Sequence, residues 1–100
     1  MSDTQTRKAV ATLLREAEQA HGVYEQTALG GVRDEDWPTW YANFLLQHGL
    51  AALLPGAETA GTEKLAALLR EFAAGYDQSG TDVPWPDVYA GRLEATFAGR

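Results

Sequence analysis

The sequence predicts an all-α fold, a four-helix arrangement built from two duplicated helical hairpins related by a pseudo-twofold axis. Three observations lead there. Alanine and leucine dominate an apolar share of 45%, while isoleucine is absent and valine sparse, so the β-branched residues that sheets favour are missing. Apolar residues recur at three- and four-residue steps, which line one side of a helix. The third observation is a repeat: Asp34-Glu35-Asp36-Trp37-Pro38-Thr39-Trp40-Tyr41-Ala42-Asn43-Phe44-Leu45 and Asp82-Val83-Pro84-Trp85-Pro86-Asp87-Val88-Tyr89-Ala90-Gly91-Arg92-Leu93 both read D-x-x-W-P-x-x-Y-A-x-x-L. Leu13-Leu14-Arg15-Glu16 likewise returns as Leu68-Leu69-Arg70-Glu71, and Tyr24-Glu25-Gln26 as Tyr76-Asp77-Gln78. The register shifts between these two markers, so the repeat carries an insertion. At 100 residues the chain has room for one core, and residues 1–100 read as one domain with repeat units at about 7–50 and 60–98.

Taken in order, Val10, Leu13, Leu14, Ala17, Ala20 and Tyr24 form the apolar side of a first helix over Thr4–Gln26, with Thr4 or Thr6 placed to cap it. The double glycine Gly30-Gly31 and the acids Asp34, Glu35 and Asp36 interrupt that pattern and read as a loop. Asp36 then stands where an N-cap belongs, and Pro38 falls in a first turn, where a missing amide proton costs nothing. A second helix follows over Trp37–His48, presenting Trp37, Trp40, Tyr41, Phe44, Leu45 and His48 on one face and stopping at Gly49. Leu50–Leu54 reads as a short helical turn under the core, followed by a linker through Gly61. Leu65, Leu68, Leu69, Phe72, Ala73 and Tyr76 make the stripe of a third long helix over Thr62–Asp77. Pro84 and Pro86 impose an extended loop, because each restricts the residue before it. The last helix spans Trp85–Ala98 with Val88, Tyr89, Leu93 and Phe97 inward.

Charge narrows the function classes. The formal net charge is −6, and residues 1–50 and 51–100 each hold four basic and seven acidic groups, so neither half is a basic patch. Phosphate backbones and anionic lipid surfaces require clustered Lys and Arg, which sets nucleic acid and membranes aside as partners. With no cysteine, thiolate chemistry and disulfides are excluded. No basic start followed by an apolar run and cleavage site is visible, and no apolar run approaches the ~20 residues of a membrane span, so a cytoplasmic protein is expected.

His21, Tyr24 and Glu25 are the first candidates for chemistry. On a helical wheel with Val10 at zero, His21 lies ~20° away and Glu25 ~60°, which turns the imidazole toward the apolar side. A carboxylate one turn on could orient that ring for proton transfer; equally, the two could be a structural pair at the core edge. Glu18 and His21 also have the Glu-x-x-His spacing of helical di-metal sites, but such sites need two copies and only one is present. A mononuclear set of His21, Glu25 and His48 is a minor alternative. No Gly-rich phosphate loop, calcium loop or placed serine nucleophile is found, and neither cofactor nor metal is expected. The ten aromatic residues either line a slot for a flat small molecule between the hairpins or form the core of a small protein.

His21-Gly22-Val23-Tyr24-Glu25, followed by Trp37-Pro38-Thr39-Trp40-Tyr41-Ala42-Asn43-Phe44-Leu45, resembles a group of small bacterial helical domains. Their pattern is H-x-x-Y-E and then W-x-x-W-Y-A-x-Y-L, with Phe44 here in the place of Tyr. Some are appended to enzymes of the glyoxalase/bleomycin-resistance type. The resemblance covers about half the chain and implies a compact helical domain in which His21, Tyr24, Glu25, Trp37, Trp40 and Tyr41 act together. It implies no particular activity.

The function expected is a small helical binding or interaction module, homodimeric in one version, with Tyr24, Trp37, Trp40 and Tyr41 as ligand-binding residues. The alternative is a small enzyme or accessory domain in which His21 and Glu25 are catalytic and move a proton in an aromatic pocket. The partners left open are another protein, a second copy of the chain, or a small apolar or aromatic ligand.

Overall fold

The computed structural model describes residues 3–32 and 34–97. Five helices run in order: α1 (Asp3–Thr27), α2 (Trp37–Gln47), α3 (Leu50–Leu53), α4 (Gly56–Ser79) and α5 (Trp85–Phe97), with no strand among the described residues. The all-α expectation holds. Of the long helices, α1 packs mainly on α5 and α2 mainly on α4, while α1 against α2 and α4 against α5 meet less extensively. Short α3 sits against α1, α2 and α4.

The stripes read from sequence meet in one core. Val10, Leu14, Leu45, Leu50, Leu54, Leu65, Leu69 and Leu93 have no solvent-exposed surface. Around them lie Trp37, Trp40, Phe44, Leu68, Tyr76, Trp85, Val88 and Phe97, each partly buried. Two ion pairs join α1 to α5: Arg7 Nε donates to Glu94 Oε1 at 3.0 Å, and Arg15 Nη2 bonds both oxygens of Asp87 at 3.0 and 3.1 Å.

Several boundaries differ from expectation for physical reasons. The caps expected at Thr4 or Thr6 fall inside α1, which already runs from Asp3. Asp36 occupies the N-cap position of α2, but its side chain makes no capping bond and instead accepts from the Thr39 hydroxyl at 3.0 Å. His48 is not on the buried face. It lies one residue past the end of α2, exposed, with Nδ1 2.9 Å from the Phe44 carbonyl oxygen. The stretch expected as linker is helical from Gly56, with Ala57 buried, and the break falls at Gly61, whose φ of 84° and ψ of 171° suit glycine alone. Burial of Ala57 thus added a turn that periodicity alone did not demand. At the far end α4 runs to Ser79 instead of Asp77, because Gly80 in the left-handed conformation (φ 68°) supplies the stop. Ala98, the expected end of the last helix, lies outside the described residues.

Candidate functional site

The α1–α2 loop is what builds the site. After Thr27, Gly30 and Gly31 take positive φ, and the Gly31 amide donates to the Glu25 carbonyl at 2.8 Å, reversing the chain so that it returns along α1. That return carries Asp34 to His21. Their side chains meet at 3.0 Å between Nε2 and Oδ2, and His21 is only 7% exposed. An ionised carboxylate can only accept, so in this pair Nε2 carries the proton and donates. Asp34 is itself held twice, its backbone N–H donating to Glu25 Oε2 at 2.8 Å and its Oδ1 accepting from the Asp36 N–H at 3.0 Å. His21 Nδ1 lies 3.9 Å from Glu25 Oε2, beyond hydrogen-bond length. The partner of His21 is therefore Asp34, and Glu25 serves mainly as an anchor for the loop.

In front of this group lies a cavity of about 340 Å³, lined by Glu18, His21, Glu25, Asp34, Trp37, Tyr41, Tyr76, Asp77, Trp85 and Tyr89. Both Trp-Pro corners contribute. Pro38 and Pro86 are buried at the starts of α2 and α5, which fixes the neighbouring indoles against the body. The rings then follow one another edge to face. Trp37 and Tyr41 are 5.7 Å apart at 86°, Tyr41 and Trp85 6.0 Å at 70°, Trp85 and Tyr89 4.9 Å at 62°, and Tyr89 and Tyr76 6.3 Å at 82°. Steep angles between neighbours make an angular enclosure in place of one flat stacking surface.

Both central phenols are held protonated. Burial raises the Tyr41 pKa well above its ordinary value, with the charges of Glu18 and Glu25 and then Tyr89 adding to the effect. Tyr89 is pushed up to about 12, first by burial and then by Asp77 and Tyr76. Either ring can donate a hydrogen bond, but neither is a base near neutrality.

The residues singled out from the sequence divide into two sets. His21, Glu25, Trp37 and Tyr41 line the cavity. Tyr24 and Trp40 do not; they pack behind the imidazole, Trp40 edge-on to His21 at 4.8 Å and Tyr24 against Trp40 at 5.6 Å. The His21, Glu25 and His48 metal set is not assembled, since His48 stacks on Phe44 at 3.9 Å and Phe44 on Trp40 at 5.4 Å, which puts two rings between the histidines. Among the described residues no three His, Cys, Asp or Glu side chains converge to hold a metal ion.

Compared with known protein families, curated proteins and solved structures, the chain matches none.

In the sequence Glu18 stands out only by a metal-motif spacing, Asp34 lies in an acidic run that suits a metal, a basic partner or a helix start, and Tyr76, Asp77, Trp85 and Tyr89 are not among the nominated site residues, although the three aromatics belong to the set that could line a slot. A signal for the last four was present. In the matching sequence motifs they align with Tyr24, Glu25, Trp37 and Tyr41, so carrying the site across that match would have found them. No such rule finds Asp34 beside His21, because the two lie thirteen positions apart across a helix end and a loop.

Proposed function

We propose that this chain is a small helical binding module whose ligand site is the cavity between the two Trp-Pro corners. One observation carries the reading: a concave space of about 340 Å³, within the size range of small-molecule sites, walled by the matching pairs Trp37/Trp85 and Tyr41/Tyr89. The same pairing supports a duplicated pair of hairpins about a pseudo-twofold axis. Exchanging the halves would turn the α1–α5 contact into the α4–α2 contact, and these are the two most extensive helix pairings in the molecule. On this reading the domain resembles an accessory unit more than a free-standing catalyst.

The test is direct. Small organic probes titrated into isotopically labelled protein should shift the indole N–H signals of Trp37 and Trp85 and spare that of Trp40, which lies behind His21. Shifts confined to Trp40, or none from any probe, would reject the cavity as the site.

The His21–Asp34 pair favours a second reading, proton transfer by an enzyme or accessory domain. His21 lines the cavity, and a carboxylate orients its Nε2, which leaves Nδ1 as the basic nitrogen of the neutral ring. Against it stands Glu25, 3.9 Å from Nδ1 and lying where a substrate proton would have to arrive. A His21→Gln variant that keeps its ligand affinity and loses turnover of that ligand would establish the catalytic reading; equal loss of both would leave binding alone.

A further inference from the structure

The cavity has a charge as well as a shape. Four of its lining residues are carboxylic acids (Glu18, Glu25, Asp34 and Asp77), and among the described residues the imidazole of His21 is the one basic group and no lysine or arginine lines it. Asp34 and Glu25 are engaged, one with His21 and the other with the Asp34 amide. Glu18 and Asp77 lie exposed at the rim, and among the described residues neither side chain has a hydrogen-bond partner. The walls are aromatic rings whose neighbours are set at 62° to 86° to one another, and the face of each ring is its electron-rich part. Tyr41 and Tyr89, less than a tenth exposed, line the cavity, and their hydroxyls bond no described residue.

Each class of ligand meets this differently. An anion would face four carboxyl groups with no arginine or lysine among the described residues to hold it. A metal ion would have to shed its water for converging oxygens, and no group of three ligating side chains is present among the described residues. A flat neutral ring would gain nothing from the four carboxyl groups that line the space. A rounded organic cation suits all of these features, since its weakly hydrated charge sits well over several ring faces and is attracted by the carboxylates at the rim.

Building on the cavity as binding site, we propose that its occupant is a small organic ammonium ion, caged by Trp37, Tyr41, Trp85 and Tyr89 and attracted by Glu18 and Asp77. The phenols stay neutral there, so their hydroxyls remain free to donate to an oxygen on the same ligand.

Choline and its uncharged isostere 3,3-dimethyl-1-butanol separate the cation from mere fit. Followed through the Trp37 and Trp85 indole signals, choline should bind about tenfold more tightly than the alcohol, and added salt should weaken choline alone. The Glu18→Gln/Asp77→Asn double variant changes exposed side chains and should melt like the parent, yet bring the two affinities close to parity. Equal binding of the two probes by the parent, or full choline preference in the double variant, would overturn the ammonium assignment and leave the cavity standing as a site for neutral ligands. If choline, the alcohol and phenol all fail to move the two indole signals, the cavity reading falls and takes the ammonium assignment with it.

Discussion

At Tyr41 and Tyr89 the same phenol meets two unequal surroundings, and both resist ionisation. In the unfolded chain each would lose its proton near pH 10, whereas in the folded protein Tyr89 does so near pH 12 and Tyr41 higher still. Above pH 10 the unfolded state therefore binds fewer protons than the folded one, and stability falls as pH rises. Chemical denaturation followed from pH 8 to 12 should show a plateau up to about 10 and a decline beyond it, with Tyr89→Phe and Tyr41→Phe each flattening the decline. In α5, Glu94 is buried with Oε1 on Arg7 and Oε2 without a partner among the described residues. Arg7→Ala should cost about 1–3 kcal/mol in a urea titration, because the carboxylate stays behind unpaired. Replacing both residues with leucine should recover most of that loss. Neither effect could be read from spacing: Arg7 and Glu94 are 87 residues apart.

Among the elements, the glycines sort by backbone conformation. Gly61 breaks α4 at a φ/ψ pair closed to side chains, so Gly61→Ala should destabilise by about 1–3 kcal/mol even though nothing lies within 4 Å of the added carbon. Gly22 and Gly75 sit inside α1 and α4 with the same open space, and alanine at either should stabilise by about 0.5–1 kcal/mol. Thermal melts of the three variants check the contrast in sign. The loops ahead of α2 and α5 are tethered by different chemistry at like places. His21 holds the first through Asp34, whereas the Tyr76 hydroxyl donates to the Val83 carbonyl at 2.8 Å in the second. Counting back from Tyr24 and Tyr76, the position that matches His21 is Ala73, so the second loop has no imidazole at that place. Asp34→Ala should therefore speed amide exchange in residues 28–36 and leave residues 80–84 protected as before, which hydrogen exchange can resolve.

In the molecule as a whole, leucines from α1 to α5 share one core, so truncation anywhere in it should be felt everywhere. Leu14→Ala in α1 and Leu69→Ala in α4 should each lower stability by about 2–5 kcal/mol, with far-ultraviolet and tryptophan signals lost together. Most of this architecture was legible beforehand: periodic apolar residues placed the long helices, and Pro38, Gly49 and Pro86 marked where they start and stop. Helix type and extent follow from local spacing and backbone chemistry, and those are properties of neighbours in the chain. The site was legible by halves. His21, Glu25, Trp37 and Tyr41 could be nominated, and the matching Trp-Pro motif pointed to Trp85 and Tyr89, but Asp34 as the histidine's partner and the displacement of Tyr24 and Trp40 from the cavity could not. By itself, then, the sequence determined that the chain is helical, that two of its helices open on Trp-Pro, and which helix faces are apolar. The tertiary structure decided which aromatic rings enclose a space and which carboxylates surround it, because packing brings together residues tens of positions apart, and no local periodicity encodes that.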